Sequence, residues 1–405
     1  MKTIKAILIV ITTLIFAWVL PWIYDLSTDT PQNYPFTYYS SVAETFGMRK
    51  NIDGETVLKD DRGNEYSEAQ FDSILPMLYY RQLARDGHLP DSLHGVDISQ
   101  RLLSNESFVF RYRPRDKNSP SIPLYTLIES MPRRVDLEMP GDMFRLDDEI
   151  QFIKPETNTV DWDKSSYFNE MLNRRGFVWP ANIVAGNPTT RKSYDEGYLI
   201  TDNNHNLYHF KMVNSRPYLQ NIELCEDVIP VWLEVTEYRS RNYYGFVISQ
   251  DGRLFVIHTG GYRVEEIPVP SFNPQTDNLL IMGNLFYWNI QVTTANKRTI
   301  YAVCSNSYDR VNSITFDAPD SSDNVKKGLF PFEISFTSSN DAYVYPRVQF
   351  FGFYYLALSL LLALGYIVFT KRANRAIDYF SLILIALTGF IGVASVLTVG
   401  DLKHV

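Results

Sequence analysis

Two stretches decide how this chain is read: GYLITDNNHNLYHF, residues 197–210, and GFVISQDGRLFVIH, residues 245–258. Each begins with glycine, an aromatic and an aliphatic residue, isoleucine, then Thr or Ser. Each continues through a polar turn to leucine and an aromatic residue. Alternation and β-branched or aromatic content mark the flanks as strands, and Asp251-Gly252 is a strong two-strand turn signal. The first stretch also carries Asp202, His205 and His209, so a metal or catalytic site competes with a plain hairpin. Two histidines at i and i+4 line one face of a helix, the geometry zinc favours. Here that spacing crosses a turn into a strand, and the second copy has no histidine pair. A strand-turn-strand repeat with His205 at the tip is the more economical reading.

Working outward, other short strand-like runs follow the same grammar: 108–114, 144–153, 206–213 and 284–294. LLIMGNLFYWNI, 279–290, is a looser third copy. Similar units every 40–50 residues, each with about four strands, describe propeller blades, and about five would fit between 105 and 345. An irregular sandwich of hairpins is the alternative. The fold class expected is therefore a mainly β, propeller-like domain with a small helical N-terminal portion. Residues 67–86 supply that helix. Ser67 and Gln70 fit a capping box, Gly87 the position after the helix, and Pro76 should kink or split it. A second helix is expected around 166–173.

Apolar runs at 6–24, 350–370 and 377–399 predict three transmembrane helices. Lys2 and Lys5 precede the first, while Asp25 and Asp29 follow it. Lys371, Arg372 and Arg375 lie between the other two. Both basic segments belong on the cytoplasmic side. The expected order is an anchor at 1–24, a mixed helical and irregular exported segment at 25–104 and a β-rich domain at 105–347. Membrane helices at 348–370 and 377–399 then flank a basic loop at 371–376, and 400–405 ends outside. That layout predicts a multi-pass protein of a bacterial inner membrane, with 25–347 in the periplasm and the bilayer met through three helices. A cleaved signal peptide is the rival for the first run, although no small-x-small cleavage site follows it. Small residues in the last run (Ala386, Gly389, Gly392, Ala394, Ser395) suit close packing, on a partner or on the preceding helix.

The chain has 405 residues, 21% charged and 45% apolar, with 27 Tyr and 25 Phe, which excludes a disordered chain. Six of the 38 basic and two of the 46 acidic residues lie outside 25–347, leaving 32 against 44, a net of −12. That balance argues against nucleic acid as a partner. Cys225 and Cys304 would form one bridge in an oxidising compartment, or stay as free thiols. Candidate contacts for a partner or ligand are Arg111, Arg113 and Arg115, spaced by two along RYRPRDK, and Arg191 with Lys192 in AGNPTTRK. Guanidinium and ammonium groups favour oxyanions, but that loop lacks phosphate-loop glycine spacing. A solvated strand face and a rigid connection are the plainer readings. No nucleophile, zinc, redox or haem motif occurs, so catalytic residues are not assigned and neither cofactor nor metal is expected.

DEGYLITDNNHNLYHFK, with GFVWPANIVAGNPTTRKSYDEG before it and LPMLYYRQL earlier, resembles an uncharacterised family of Bacteroidetes membrane-anchored proteins, a domain of unknown function. The resemblance spans nearly the whole chain. It implies an inner-membrane location and a gene neighbourhood with ABC-type transporter components, so an ABC-type permease is an expected partner. No functional residues carry over. The combined expectation is an accessory or protein-interaction subunit of a transporter or envelope complex. A membrane-tethered periplasmic enzyme, or a ligand sensor with a separate output subunit, is the alternative.

Overall fold

Strands Tyr243–Ser249 and Leu254–His258 are buried almost without interruption. A strand with one wet face would alternate, so these strands must be covered on both sides. The computed structural model, which describes residues 2–28, 34–318 and 324–400, shows how. Phe246, Ile248, Leu254 and Val256 point into one core, while Val247, Phe255 and Ile257 point into another. Period-two alternation thus feeds two different cores from one sheet.

Residues 33–317 form one unit, built from five antiparallel sheets of three or more strands among the described residues. Sheet I holds Phe36–Tyr39, Phe46–Ile52 and Glu55–Asp60. Sheet II holds Met143–Leu146, Ile150–Lys154 and Thr159–Asp161, with Tyr125 bridged to Phe144 at its edge. Sheet III is the meander Ile183–Gly186, Tyr198–Thr201, Leu207–Val213 and Arg216–Ile222. Sheet IV repeats it with Pro230–Val235, Tyr243–Ser249, Leu254–His258 and Val264–Ile267. Sheet V runs Asn278–Gly283, Tyr287–Thr293, Lys297–Cys304 and Arg310–Asp317, and Phe108–Tyr112 joins its first strand. The cores between them fix the stacking order. Phe144 and Phe152 meet Tyr198 and Phe210 between II and III. Leu199 and Leu207 meet Leu233 and Val247 between III and IV. Phe246 and Val256 meet Phe110 and Ile281 between IV and V. Ile300 and Ala302 meet Tyr39 and Phe46 between V and I.

The quoted hairpins occupy equivalent places, as second and third strands of sheets III and IV. The third copy does not: 279–290 covers the first and second strands of sheet V, so the true counterpart is Tyr287–Cys304, one strand later. The stretch 25–104, read as helical and irregular, also contains sheet I. Its helices behave as the sequence requires. Ser67 and Gln70 close a capping box, the chain breaks at Leu75 before Pro76, and Gly87 follows Arg85 and Asp86 with φ +71°. The helix Trp162–Arg174 covers sheet II through Phe168 and Leu172. Cys225 and Cys304 are both free thiols.

The second unit joins residues 1–32 to 318–405. Lys2–Thr28 is one helix, and its Thr3–Thr28 part is long and apolar enough to cross a membrane; a signal segment passes the same test. The other two expected spans are corrected. Helix Leu356–Arg372 has 17 residues, because 347–350 is strand and 351–355 is irregular. The run 377–399 is two helices, Tyr379–Thr388 and Phe390–Gly400, broken where Gly389 takes φ +57°. Asp29 and the tail 401–405 lie outside the described residues. A Cβ at Gly389 would sit 2.6 Å from Ser359 Oγ, so this small residue packs on the unit's own preceding helix. Ala17, Phe330 and Ile391 form the unit's core, and Lys326 bridges Asp25 and Glu333 at 2.7 Å each.

Gly252 holds the sheet IV hairpin at φ +80°, where a Cβ would lie 1.7 Å from Phe272 O. Gly252→Ala combines a left-handed backbone with a backbone clash. It is expected to destabilise the β unit by about 2 kcal/mol or more, read as a lower urea midpoint by far-UV circular dichroism.

Candidate functional site

The polar turn 202–206 is a structural device. Asp202 is fully buried, and its carboxylate accepts from the Asn204 and Asn206 backbone N–H groups at 2.9 Å each and from Asn206 Nδ2 at 3.0 Å. His205 is exposed at the tip, with φ +64°. His209 is buried in the strand; its ring nitrogens face Tyr262 Oη at 2.8 Å and Glu196 O at 2.5 Å. Burial lowers its pKa to about 3, so it stays neutral. No cluster of metal-ligating side chains occurs among the described residues. The hairpin reading of this stretch stands.

The structure separates the five candidate contact residues. Arg111 is exposed on Phe108–Tyr112, but that strand ends there. Arg113 precedes the short helical turn Pro114–Lys117 in extended conformation and Arg115 lies within it, so the stripe spaced by two stops before its third member. Arg113 clamps Asp116 through two bonds, 2.8 and 2.9 Å. Arg191 is exposed in the loop after Ile183–Gly186. Lys192 is different, because its side chain is only 7% exposed. Its ammonium meets Asp195 Oδ1 at 2.6 Å, Glu237 Oε1 at 2.5 Å and Asn187 O at 2.6 Å. Three donors meet three acceptors. Asp195 also accepts from Ser130 Oγ and the Gly197 N–H, while Glu237 accepts from the Glu196 N–H and Asn187 Nδ2. Lys192 is thus a buried tie between the loop of sheet III and the end of the first strand of sheet IV. The ammonium expected as a partner or ligand contact has all three of its donors committed within the chain.

Beside this tie lies a cavity of about 680 Å³. Val109, Tyr125, Ile183–Gly186 and Trp232–Tyr238 line it. These residues come from the unpaired edges of four sheets: Phe108–Tyr112 of sheet V, the bridge residue of sheet II, and the first strands of III and IV. Its lining mixes polar and apolar side chains. Glu234 lines it from the strand Pro230–Val235; its carboxylate faces the Trp232 indole, and no ion pair holds it among the described residues. Burial pushes that carboxyl up to about 7, offset in part by the Trp232 indole beside it and reinforced by the charge of Asp116. The Trp232 indole N–H is itself buried with no acceptor at hydrogen-bonding geometry. The surrounding phenols are engaged: Tyr198 donates to Thr126 O at 2.6 Å and Tyr238 to Val109 O at 3.1 Å.

The family profile for the domain of unknown function DUF4857 matches residues 36–303, which covers the whole cavity. The chain belongs to the DUF4857 family. No curated protein sequence matches it significantly. Among solved structures, this DUF4857 chain is similar to the WD40 domain of SCAP from fission yeast, at 10% identity over 76% of this chain and 78% of that one, with TM-score 0.27. It is similar to virginiamycin B lyase from Staphylococcus aureus, at 12% identity over 73% of each, with TM-score 0.21. It is also similar to PorZ, a surface component of the type-IX secretion system of Porphyromonas gingivalis, at 9% identity over 70% of this chain and 27% of PorZ, with TM-score 0.22.

Sequence reading missed Glu234. The signal was present: one acid inside the apolar run VWLEV, 231–235, where a solvated residue would need a wet face.

Lys192→Met leaves Asp195 and Glu237 buried without their cation. It is expected to destabilise the β unit by about 3–5 kcal/mol, measured by urea unfolding. Glu234 behaves in the opposite sense. Its folded pKa is raised, so its contribution to stability is intact below the unfolded value of 4.5 and is lost as pH rises through about 7. Glu234→Gln should therefore be more stable than the parent by about 2 kcal/mol above that range and match it below about pH 4. Thermal midpoints across the pH series check this.

Proposed function

We propose that this protein is a membrane-anchored binding module whose β unit is an open, propeller-like array holding a partner or ligand at its central cavity. The observation that carries the reading is the convergence of four sheet edges on one cavity that holds the Glu234 carboxyl with no cationic partner among the described residues. Stacked sheets with first strands innermost are what blades around an axis require. A carboxyl kept at a cost in stability, in a concave apolar site, is the usual mark of recognition.

The membrane part of the proposal rests on the second unit. Leu360, Leu361, Leu364, Phe369, Ile383, Leu387 and Leu397 are all more than half exposed, which water does not favour over so many neighbours. Lys5 lies 4.0 Å from Asp378, so the first helix begins at the same end of the unit as the basic loop 371–376. Exposed Phe350, Phe353 and Tyr354 precede Leu356–Arg372, as an interfacial aromatic belt would. We read the unit as anchored in a bacterial inner membrane through its first helix, with the β unit on the periplasmic side. The role proposed for it is that of an accessory subunit in a transporter or envelope assembly.

Purification from native membranes in mild detergent is expected to recover a stoichiometric membrane partner. Val109→Trp, which fills the cavity from its 57% exposed wall, should reduce that recovery at unchanged circular dichroism. Recovery of the protein alone, from parent and variant alike, would sink the proposal.

A further inference from the structure

We infer that the cavity takes a cationic nitrogen, an ammonium or guanidinium group, carried on an apolar stem and seated between Glu234 and Trp232. The inference rests on the cavity being a binding site and adds the chemistry of what enters it.

Charge decides the class. Three charged residues line the cavity: Lys192, Glu234 and Glu237. Lys192 has all three of its N–H donors committed, two of them to carboxylates. Its charge is cancelled by Asp195 and Glu237 together, which leave the wall one charge negative before Glu234 is counted. An anion entering this space would find no free cation and at least one unpaired carboxyl. A neutral apolar ligand would leave both Glu234 and the cavity's negative field uncompensated, at a cost of desolvation. A cation meets both needs, because an opposite charge beside a buried carboxylate restores its ionised form.

The walls decide the rest. Val109, Ile183, Val184, Ala185 and Val235 offer aliphatic surface for a stem. Trp232, Tyr125, Tyr198 and Tyr238 add aromatic faces, which attract cations most strongly when water is excluded, with indole the best of them. The titratable groups facing Glu234 do not compete near neutral pH. Tyr125, Tyr198 and Tyr238 are all raised by burial and remain neutral, and Asp116 is held by Arg113. Burial raises Glu237 as well, with Lys192 opposing it. Entry of a cation therefore couples to proton release from one group, Glu234.

Titration calorimetry on the purified full-length protein tests this with n-butylammonium chloride, butan-1-ol, sodium butyrate and the capped tripeptide Ala-Lys-Ala. Butylammonium, the tripeptide or both should bind, about tenfold more tightly near pH 8 than near pH 6 as Glu234 ionises. Glu234→Gln should abolish that binding, and Trp232→Phe should weaken it while leaving the pH dependence. Binding of the tripeptide alone assigns the cation to a partner's side chain; binding of butylammonium assigns it to a free amine. Butanol or butyrate binding as tightly as butylammonium overturns the cationic class while leaving the cavity a site. Binding unchanged in Glu234→Gln overturns the role of Glu234, and binding of none of the probes overturns both readings.

Discussion

Burial of strands on both faces is the constraint from which the β unit follows. A strand such as GFVIS has no face to give to water, so its sheet needs a second sheet on each side. Repeating the requirement produces a stack in which every interior sheet shares one core with the sheet before it and another with the sheet after. Phe246 and Val247 are adjacent in the chain and lie in different cores. A one-residue slip in register would send each to the wrong core, so the pairing is strongly specified. Stacked meanders also leave their first strands with one unpaired edge, and those edges are what surround the cavity. The site is thus a consequence of the stacking, and its chemistry comes from the few polar residues on those edges.

Local signals were legible in the sequence and distant ones were not. The hairpins at 197–210 and 245–258 were readable because turn chemistry and alternation are set within a few residues. The capping box at Ser67 and the break before Pro76 were readable for the same reason. The third copy slipped by one strand because any two neighbouring antiparallel strands satisfy that pattern. Tyr287–Cys304 is the counterpart only because of its position within sheet V. The strands of sheet I escaped notice because MRKN within 46–52 is polar and FTYY is four residues long. The break at Gly389 was also hidden, since glycine is ordinary in apolar helices and its positive φ is imposed by packing against Ser359.

The candidate site divides along the same line. Lys192 looked available because its partner Glu237 is 45 positions away, a distance no local pattern spans. A basic pair in a turn is usually solvated, yet burial converts one member into a tie and leaves Arg191 outside. The arginine stripe failed for a simpler reason: Pro114 ends the strand, and period two has no meaning beyond it. Glu234 was the residue with a readable signature, an acid within an otherwise apolar strand, and it carries the site.

Lys192 and Glu234 make an instructive contrast, because they line the same cavity. Removing the cation of a satisfied buried network leaves charges stranded, so Lys192 belongs to the architecture. Glu234 has no such network, and folding raises its pKa towards 7, so the folded state bears its desolvation near neutral pH. A neutral side chain of similar size would spare the fold that cost. Gly245 sharpens the point: a Cβ there would lie 2.1 Å from Glu234 O, so the neighbouring strand is kept bare where the backbone of Glu234 approaches it. Backbone space is cleared at a position whose side chain weakens the fold. That combination is what the proposed binding role of Glu234 requires of the first strand of sheet IV, and nothing of the kind attends the histidine-bearing turn of sheet III, whose Asp202 is satisfied within its own loop.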